Sequence, residues 1–349
     1  MSDSRPVRAG LALGLSLLMA LGGAAEPAGA GTANQTVKVF KNVLKDQMTY
    51  QPLPGASVQL TAGPGQRFIL YSDPFSLTVV QRMPAWSDLG TTTGLFCPPR
   101  NSSAPNGTHY ATNLATANGF STRPLTRWVF TAPHTSGTRR YTCKVAIAFY
   151  TKGQLGTKDV RATAPGGTVR LHAAPAPLDT RHWTQQPPFT AVRAGATPAT
   201  VLTHSWDPAP SSPRLAIRQD VQLTMCKRRS SYAACPRGSH AHSDVSTWIE
   251  AQPLNAAGAA CGTLVRSAVR NLRITEPEHH LTVLNTLDMA QTALPKECSR
   301  LRLSLRVQVR AGNAALVHGG TAGNGEAATA YSHGFAYTYG PTSSAARGS

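Results

Sequence analysis

An internal repeat constrains the fold of this 349-residue chain more than any other feature. Three segments of the first half match three of the second: residues 67–80 match 214–226, residues 89–97 match 254–261, and residues 140–150 match 297–306. Self-similarity over such a length indicates two copies of one domain. The chain is long enough for each copy to bury a core of its own.

The repeated segments have the pattern of β-strands. The clearest is LRLSLRVQVR at residues 301–310, in which apolar and polar residues alternate without exception. A period of two predicts an antiparallel strand with one buried face. Short apolar runs separated by Pro, Gly, Asn and Ser recur along the chain, and none has the spacing of a long helix. We therefore predict an all-β fold.

The six cysteines follow the repeat. The first copy contains only Cys97 and Cys143, which pair if pairing stays within a copy. The repeat places Cys261 and Cys298 at the corresponding positions of the second copy, so these two pair and leave the other two for each other. The predicted disulfides are Cys97–Cys143, Cys226–Cys235 and Cys261–Cys298.

One detail of the second copy disagrees with the repeat. Cys298 has the strand parity of Arg302, whereas Cys143 shares a face with the apolar residues that follow it. Either a β-bulge follows Cys298 or this cysteine lies just before its strand.

A metal site is the alternative for two of the cysteines. Cys226, Cys235, His240 and His242 bring ligand chemistry into a short span. Their spacing matches no familiar zinc motif, and an exported chain favours oxidised cysteines. The pattern favours a disulfide-closed loop, and we predict no metal and no cofactor.

The cysteine layout also resembles a known fold. A cysteine pair that includes a Tyr-x-Cys strand, here Tyr141-Thr-Cys143, resembles immunoglobulin-like β-sandwiches, although the family's Trp after the first cysteine is missing. The resemblance implies two tandem, disulfide-linked immunoglobulin-like β-sandwiches. We place these sandwiches at residues 31–174 and 191–341, with a Pro-rich linker at 175–190 and a disordered tail at 342–349.

Residues 1–30 have the composition of a signal peptide. Arg5 and Arg8 precede the apolar stretch 11–21, which is too short to cross a bilayer, and small residues follow. We expect no stable membrane span in the mature form and a secreted protein, extracellular or associated with the cell wall. In composition and cysteine layout the chain resembles uncharacterised secreted proteins of high-GC Gram-positive bacteria.

Charge gives the strongest indication of function. The chain has 34 Lys and Arg against 16 Asp and Glu, a formal net charge of +18. Positive surfaces attract anionic polymers. The candidate anion-binding residues are three inside the Cys226–Cys235 loop and three on one face of the alternating strand: Lys227, Arg228, Arg229, Arg302, Arg306 and Arg310. The alternative is a solvated face that only keeps the protein soluble.

The last strand offers a second candidate surface. Phe335, Tyr337 and Tyr339 have one strand parity, shared with Tyr331 and His333. On an exposed face they form an aromatic platform on which sugars or bases stack. On a buried face they are ordinary core, and the small residues between them favour this alternative.

Motifs of catalysis are missing from the sequence. It contains no G-x-S-x-G, H-E-x-x-H, P-loop or G-x-G-x-x-G pattern, and its acidic residues are few and scattered. His279 and His280 form one of two histidine clusters, and neighbouring side chains on a strand point to opposite faces, which argues against their acting together.

These observations favour a non-enzymatic binding or structural protein. Its expected partner is an anionic polymer or another component of the cell surface. A protein partner is the second hypothesis, with the Cys226–Cys235 loop as the contact of an inhibitor or adhesin. A secreted hydrolase, with a site assembled from distant residues, is the third.

Overall fold

The computed structural model describes residues 35–39, 50–75, 77–79, 88–97, 107–114, 121–122, 125–134, 137–152, 160–164, 169–184, 189–210, 212–228, 230, 233–321 and 329–340. The predicted signal peptide and the predicted tail at 342–349 lie outside these residues. The described chain is an all-β protein, with one short 3₁₀ helix at Gln291–Ala293.

The strands of the first half are β1 (Gln35–Val39), β2 (Gln51–Ala62), β3 (Arg67–Ser72), β4 (Leu77–Val79), β5 (Asp88–Phe96), β6 (Gly107–Leu114), β7 (Ser121–Thr122), β8 (Arg127–Thr131), β9 (Arg139–Lys152), β10 (Val160–Ala164) and β11 (Leu171–Pro175). Those of the second half are β12 (Arg181–Thr184), β13 (Phe189–Val192), β14 (Ala199–Trp206), β15 (Arg214–Met225), β16 (His242–Leu254), β17 (Val265–Arg266), β18 (Arg270–Thr275), β19 (His280–Ala290), β20 (Arg300–Gly312), β21 (Ala315–His318), β22 (Gly320–Thr321), β23 (Thr329–Ala330) and β24 (His333–Tyr339).

The second half is a sandwich of two sheets. In one sheet, β20 lies between β14 and β16, and the far side of β16 pairs with β17 and β18. In the other, β15 pairs with β19 on one side and with β21 and β24 on the other, and β12 and β13 continue the sheet. Apolar residues from both sheets, among them Ile217, Ile249 and Leu303, form the core between them.

The first half has the same arrangement. One sheet has the order β2-β9-β5-β6 and the other β11-β3-β8, around a core that includes Leu70, Phe130 and Ile147. These orders match β14-β20-β16-β18 and β24-β15-β19 strand for strand along the chain. Two copies of one topology account for the repeat in the sequence. A separate small sheet, β1-β10-β4-β7, has no equivalent among the described strands of the second half.

The strand order corrects the immunoglobulin-like expectation. In that fold the first strand belongs to the sheet of the second and fifth, and the disulfide bridges the two sheets. Here the first of the matching strands pairs with the sixth, and Cys97–Cys143 joins β5 to β9, its neighbour within one sheet. With β12 beside β24, the second half has the order of an eight-stranded jelly roll. Strand alternation is common to both folds, so it did not distinguish them.

The structure contains the three disulfides predicted from the repeat. The Sγ–Sγ distances are 2.03 Å for Cys97–Cys143, 2.12 Å for Cys226–Cys235 and 2.09 Å for Cys261–Cys298. Cys298 lies before β20, which begins at Arg300, so the second explanation of its strand parity holds. Strand β20 itself follows the predicted alternation: its Leu and Val residues from 301 to 309 are all fully buried.

The two halves are more closely joined than a linker would allow. In place of the predicted linker at 175–190, residues 181–184 form β12 and pair with β24, and β13 begins at Phe189. Edge strands tolerate proline, so a Pro-rich composition did not exclude strands here. In addition, β23 from the second half pairs in parallel with β6 and extends a sheet of the first.

Candidate functional site

The predicted basic face lies on the outer side of the sheet that contains β20. Arg302, Arg306 and Arg310 alternate with the buried residues of this strand and point away from the core. Arg302 and Arg310 are exposed, and Arg306 is half-buried. Consecutive arginines of this row are four residues apart, which is about 13 Å along a strand. The row therefore presents cations along the whole length of β20.

Glu250 of β16 lies beside the centre of this row. Its carboxylate accepts a hydrogen bond from Nε1 of Trp248 at 3.0 Å and pairs with Nη2 of Arg266 at 3.1 Å. The Nε atom of Arg306 lies 3.7 Å from the other carboxylate oxygen. Glu250 therefore neutralises part of the charge at the middle of the face.

Two of the three arginines in the row are available to pair with an external anion. Arg306 donates to the Pro198 carbonyl at 2.8 Å and to the hydroxyl of Thr200, so protein groups hold it in place. Among the described residues, neither Arg302 nor Arg310 has an ion-pair partner within 4.0 Å.

Asp244 carries the second carboxylate of the face. Arg273 of β18 donates to it from Nε at 2.6 Å and from Nη2 at 2.9 Å, and Nε2 of His242 lies 3.5 Å away. The hydrogen bond from Arg273 lowers the pKa of Asp244, and the nearby charges of Arg273, His242 and Arg310 lower it further. The face thus combines five arginines with two carboxylates and keeps an excess of positive charge.

The Cys226–Cys235 loop is anchored where β20 ends. The backbone N–H of Cys226 donates to the Ala314 carbonyl at 2.9 Å. The buried side chain of Asn313 accepts from the backbone N–H groups of Ser239 and His240, each at 2.8 Å. These contacts fix the base of the loop at the turn after β20.

The loop carries part of the predicted cationic set. Lys227 is half-buried and Arg228 is exposed, whereas Arg229 lies outside the described residues. Arg310 lies at the end of β20 that leads into the turn at Asn313. The topology therefore brings Lys227 and Arg228 to the same end of the sandwich as Arg310.

The alternative metal site at the loop is not assembled. Cys226 and Cys235 are joined to each other, and the nearest charged partner of His242 is Asp244. The rings of His279 and His280 do meet, with centroids 4.3 Å apart, because His279 precedes β19 and is not held to strand alternation. Across the described ranges, no three His, Cys, Asp or Glu side chains are grouped so that they could hold a metal ion.

The aromatic residues of β24 lie on a buried face, which is the alternative that the small residues between them favoured. Phe335 and Tyr337 are only 2% and 4% exposed, and Tyr339 is half-buried. Their face packs against Ile69 of β3 and Val129 of β8 in the first half. The outer faces of two sheets, one from each half, therefore cover each other, and the aromatic residues belong to this interface rather than to a binding surface.

An ion pair crosses the same interface. Arg127 of β8 donates from Nε to Oδ2 of Asp220 in β15 at 2.7 Å, and from Nη2 to Oδ1. Nη2 also donates to the Asn285 carbonyl at 2.9 Å. The two side chains are 3% and 0% exposed. Burial disfavours the charged form of Arg127, but the adjacent carboxylate of Asp220 outweighs it and raises the pKa of the guanidinium.

Tyr110 and His333 complete a buried set of four residues, which we call the interface cluster: Tyr110, Arg127, Asp220 and His333. The Tyr110 hydroxyl lies 2.7 Å from Oδ2 of Asp220 and 2.9 Å from Nε2 of His333. A hydroxyl has one proton, so Tyr110 donates to the carboxylate and accepts from the Nε2–H of a neutral His333, a tautomer assigned from these distances. Tyr110 and Asp220 are then paired, whereas Nη1 of Arg127 and Nδ1 of His333 are buried and have no hydrogen-bond partner among the described residues.

The protonation states of the interface cluster follow from its burial. Burial and the charge of Asp220 raise the pKa of Tyr110 well above its ordinary value, so the phenol is neutral. Burial, and then the charge of Arg127, lower the pKa of His333 to about 3. All four residues are at most 4% exposed, so the interface cluster is a contact between the halves and no substrate reaches it.

The sequence contained one indication of this interface. Strand pairing places His333 opposite Asp220 and Phe335 opposite Arg218, on one face of the sheet. Aromatic residues beside a row of polar ones indicate a face covered by another layer, because large aromatic side chains are seldom left in water together. Alternation alone, by contrast, assigns Arg218 and Asp220 to solvent.

The described part of the chain contains no helix with the length and apolarity that a membrane crossing requires.

Comparison with known proteins adds little to this description. No family model matches the chain, and no curated protein matches it. Among solved structures, the chain is similar to infectious bursal disease virus Gt strain (9% identity, 90% of this chain and 75% of that chain, TM-score 0.29). It is also similar to Broad Bean Stain Virus (8% identity, 97% and 99%, TM-score 0.27) and to the cowpea mosaic virus top component (10% identity, 92% and 93%, TM-score 0.24).

Proposed function

We propose that this chain is an exported, non-enzymatic binding protein whose outer β20 face holds an anionic polymer at or outside the cell surface. The observation that supports this most is the row of Arg302, Arg306 and Arg310 on one outer sheet face. From the first to the third, the row spans eight residues, about 27 Å along the strand. This geometry suits an extended, repeating anion better than a small ligand.

The export that this proposal requires is supported by two features. The sequence at residues 1–30 has the charged, apolar and small-residue regions of a signal peptide. All six cysteines are joined in disulfides, which persist in oxidising compartments. A secreted protein of a high-GC Gram-positive bacterium, as the composition suggests, meets phosphate-rich wall polymers, and the arginine row is complementary to such polymers in charge.

Neutralising the two exposed arginines of the row should weaken polymer binding and its dependence on salt. We expect Arg302→Gln with Arg310→Gln to reduce the slope of log K against log salt by about 1.4 for a single-stranded polyanion, because two phosphate contacts are lost. The measurement is fluorescence titration with labelled poly(glycerol phosphate) and with a labelled oligothymidylate, at several salt concentrations.

Arg139→Gln with Arg140→Gln is the matched control, since these exposed residues of β9 lie in the other half and carry the same charge. An equal loss in both double variants would mean that net charge, and not the β20 face, attracts the polymer. Binding of either polymer that is insensitive to salt would remove the proposal.

Removing the central carboxylate should have the opposite effect. Glu250→Gln keeps the hydrogen bond from Trp248 but frees Arg266 and Arg306 from their ion pairs. Exposed ion pairs contribute about 0–1 kcal/mol each, so the affinity for the same polymers should rise about two- to fivefold. Unchanged or weaker binding in this titration would show that the polymer does not lie over Glu250.

A further inference from the structure

The contact between the two halves combines a small apolar cluster with buried polar groups. Among the described residues, the buried members of this apolar cluster are Ile69, Val129, Ala216, Phe335 and Tyr337, and Ala176 and Tyr339 pack against them partly buried. Each sandwich has a far larger apolar core of its own. Since apolar burial is the main stabilising term in folding, each sandwich is held more firmly than the interface, and the interface depends on its polar contacts.

His333 lies at the centre of these contacts. Its ring centroid is 5.0 Å from the indole of Trp128 and 5.5 Å from the imidazole of His182, and it stacks on Phe335 at 6.1 Å. Its Nε2–H donates a hydrogen bond to the Tyr110 hydroxyl. Its Nδ1 is buried and, among the described residues, has no hydrogen-bond partner. A proton added at Nδ1 would therefore be a buried N–H⁺ without an acceptor.

The charged and titratable groups around His333 do not offset that cost. Asp220 lies 3.6 Å from Nε2, but it already forms the bidentate pair with Arg127, whose positive charge also acts on His333. Tyr110 is neutral. His182 of β12 faces the same ring, and a charge there adds repulsion.

His182 is the second titratable group of the interface. Its Nε2 is also buried without a partner among the described residues. Burial lowers its pKa well below the ordinary value, and the charges of His333, Arg67 and His204 lower it further. Both histidines of the interface are thus held neutral by the closed contact.

We propose that the interface cluster is an acid-sensitive latch, which holds the two halves together at neutral pH and opens between β8 and β24 in mildly acidic solution while each sandwich stays folded. The direction of the pH effect on opening follows from the linkage between proton binding and the opening equilibrium. His333 has a pKa of about 3 when buried and an ordinary value of 6.5 when exposed. The open state therefore binds more protons at every pH between these values, and acid favours opening.

The magnitude is large enough to measure. For one histidine with these two pKa values, the equilibrium constant for opening rises about 30-fold between about pH 7.5 and about pH 5. His182 adds to this because its pKa is lowered as well. At neutral pH neither group disfavours the closed state.

The test uses the full chain with one reporter thiol, since the six natural cysteines are all in disulfides. Val129→Cys places a thiol of similar volume inside the interface, and Val145→Cys places one in the core of the first sandwich. Labelling with a dipyridyl disulfide, normalised to the unfolded chain at each pH, measures how often each site opens. Ala216→Cys, on the opposite side of the interface, serves if Val129→Cys does not fold.

The expected result is a rise of at least about 30-fold in labelling of Val129→Cys at about pH 5, with no rise for Val145→Cys. His333→Gln in the Val129→Cys background should reduce this rise by the share of His333, about 30-fold, and leave only the share of His182. His240→Gln, which changes an exposed histidine, should leave the rise unchanged. The latch is contradicted if interface labelling does not depend on pH, if Val145→Cys is labelled in parallel, or if His333→Gln retains the full rise.

Discussion

Asp220→Ala is expected to destabilise the protein by about 3–5 kcal/mol, because it leaves the charge of Arg127 buried without a partner. The guanidinium is 3% exposed and its two hydrogen bonds to the carboxylate would both be lost. Tyr110 would lose its shorter hydrogen bond, to Asp220, and keep only the Arg127 carbonyl at 3.2 Å as acceptor. The free energy of unfolding, from urea denaturation at neutral pH, measures the effect.

A double substitution separates the loss of a partner from the value of the pair. Arg127→Met with Asp220→Leu replaces both charges with apolar side chains, and such replacements of buried ion pairs are often neutral or stabilising. We expect this variant to regain most of the lost stability. A loss below about 1 kcal/mol in Asp220→Ala would show that the pair is exposed to water in solution.

Removal of the Cys97–Cys143 bond should produce the second large loss of stability. Its sequence separation is 46 residues, and replacing both cysteines with alanine should cost about 4 kcal/mol through the entropy of the unfolded chain. The Cys226–Cys235 bond closes a separation of only nine residues, and its loss should cost about 2.6 kcal/mol. Urea denaturation of the two double-alanine variants gives the comparison.

The order of these two costs is the informative result. Cys97 and Cys143 are both buried in the core of the first sandwich, which adds to the cost of losing them. Cys226 is also fully buried, in a smaller cluster with Ala314 and Leu316, so its replacement leaves a cavity as well. A larger cost for the Cys226–Cys235 bond would contradict a stabilisation set mainly by loop length.

The parts of the fold that were predicted are those fixed by local periodicity. The perfect alternation of residues 301–310 defined β20, because a period of two leaves one arrangement of buried and exposed side chains. The repeat predicted the long disulfides, since Cys261 and Cys298 follow the positions of Cys97 and Cys143 along the chain. The same alternation placed Arg302, Arg306 and Arg310 on one outer face, and the structure has them there.

The predictions that failed concern strand faces that another layer of the protein covers. Alternation in β15 puts Arg218 and Asp220 opposite Leu215 and Ile217, as on any strand with one face in water, yet the structure buries both sides of β15. A pattern along one strand does not report a second layer supplied by a distant segment. For the aromatic residues of β24 the sequence favoured a buried face, as the structure has it, but the pattern did not identify the layer that covers them.

The order of the strands in the sheets could not be predicted from the local pattern either. The immunoglobulin-like and jelly-roll sandwiches use the same kind of strand, and only the edge pairings differ. Where β12 pairs with β24, Trp183 packs against Gly334 and leaves no room for a side chain there. That contact joins residues far apart in sequence, and the Pro-rich composition around β12 obscured it.

The central claim is that the two halves form one body closed over the interface cluster, and the titration of His333 tests it most directly. In ¹³C-histidine-labelled protein, with His333 assigned by its loss in His333→Gln, its ring signal should stay that of a neutral imidazole from about pH 8 to about pH 6. A midpoint for His333 near its ordinary value of 6.5 would show that water reaches the ring, and would contradict the closed interface.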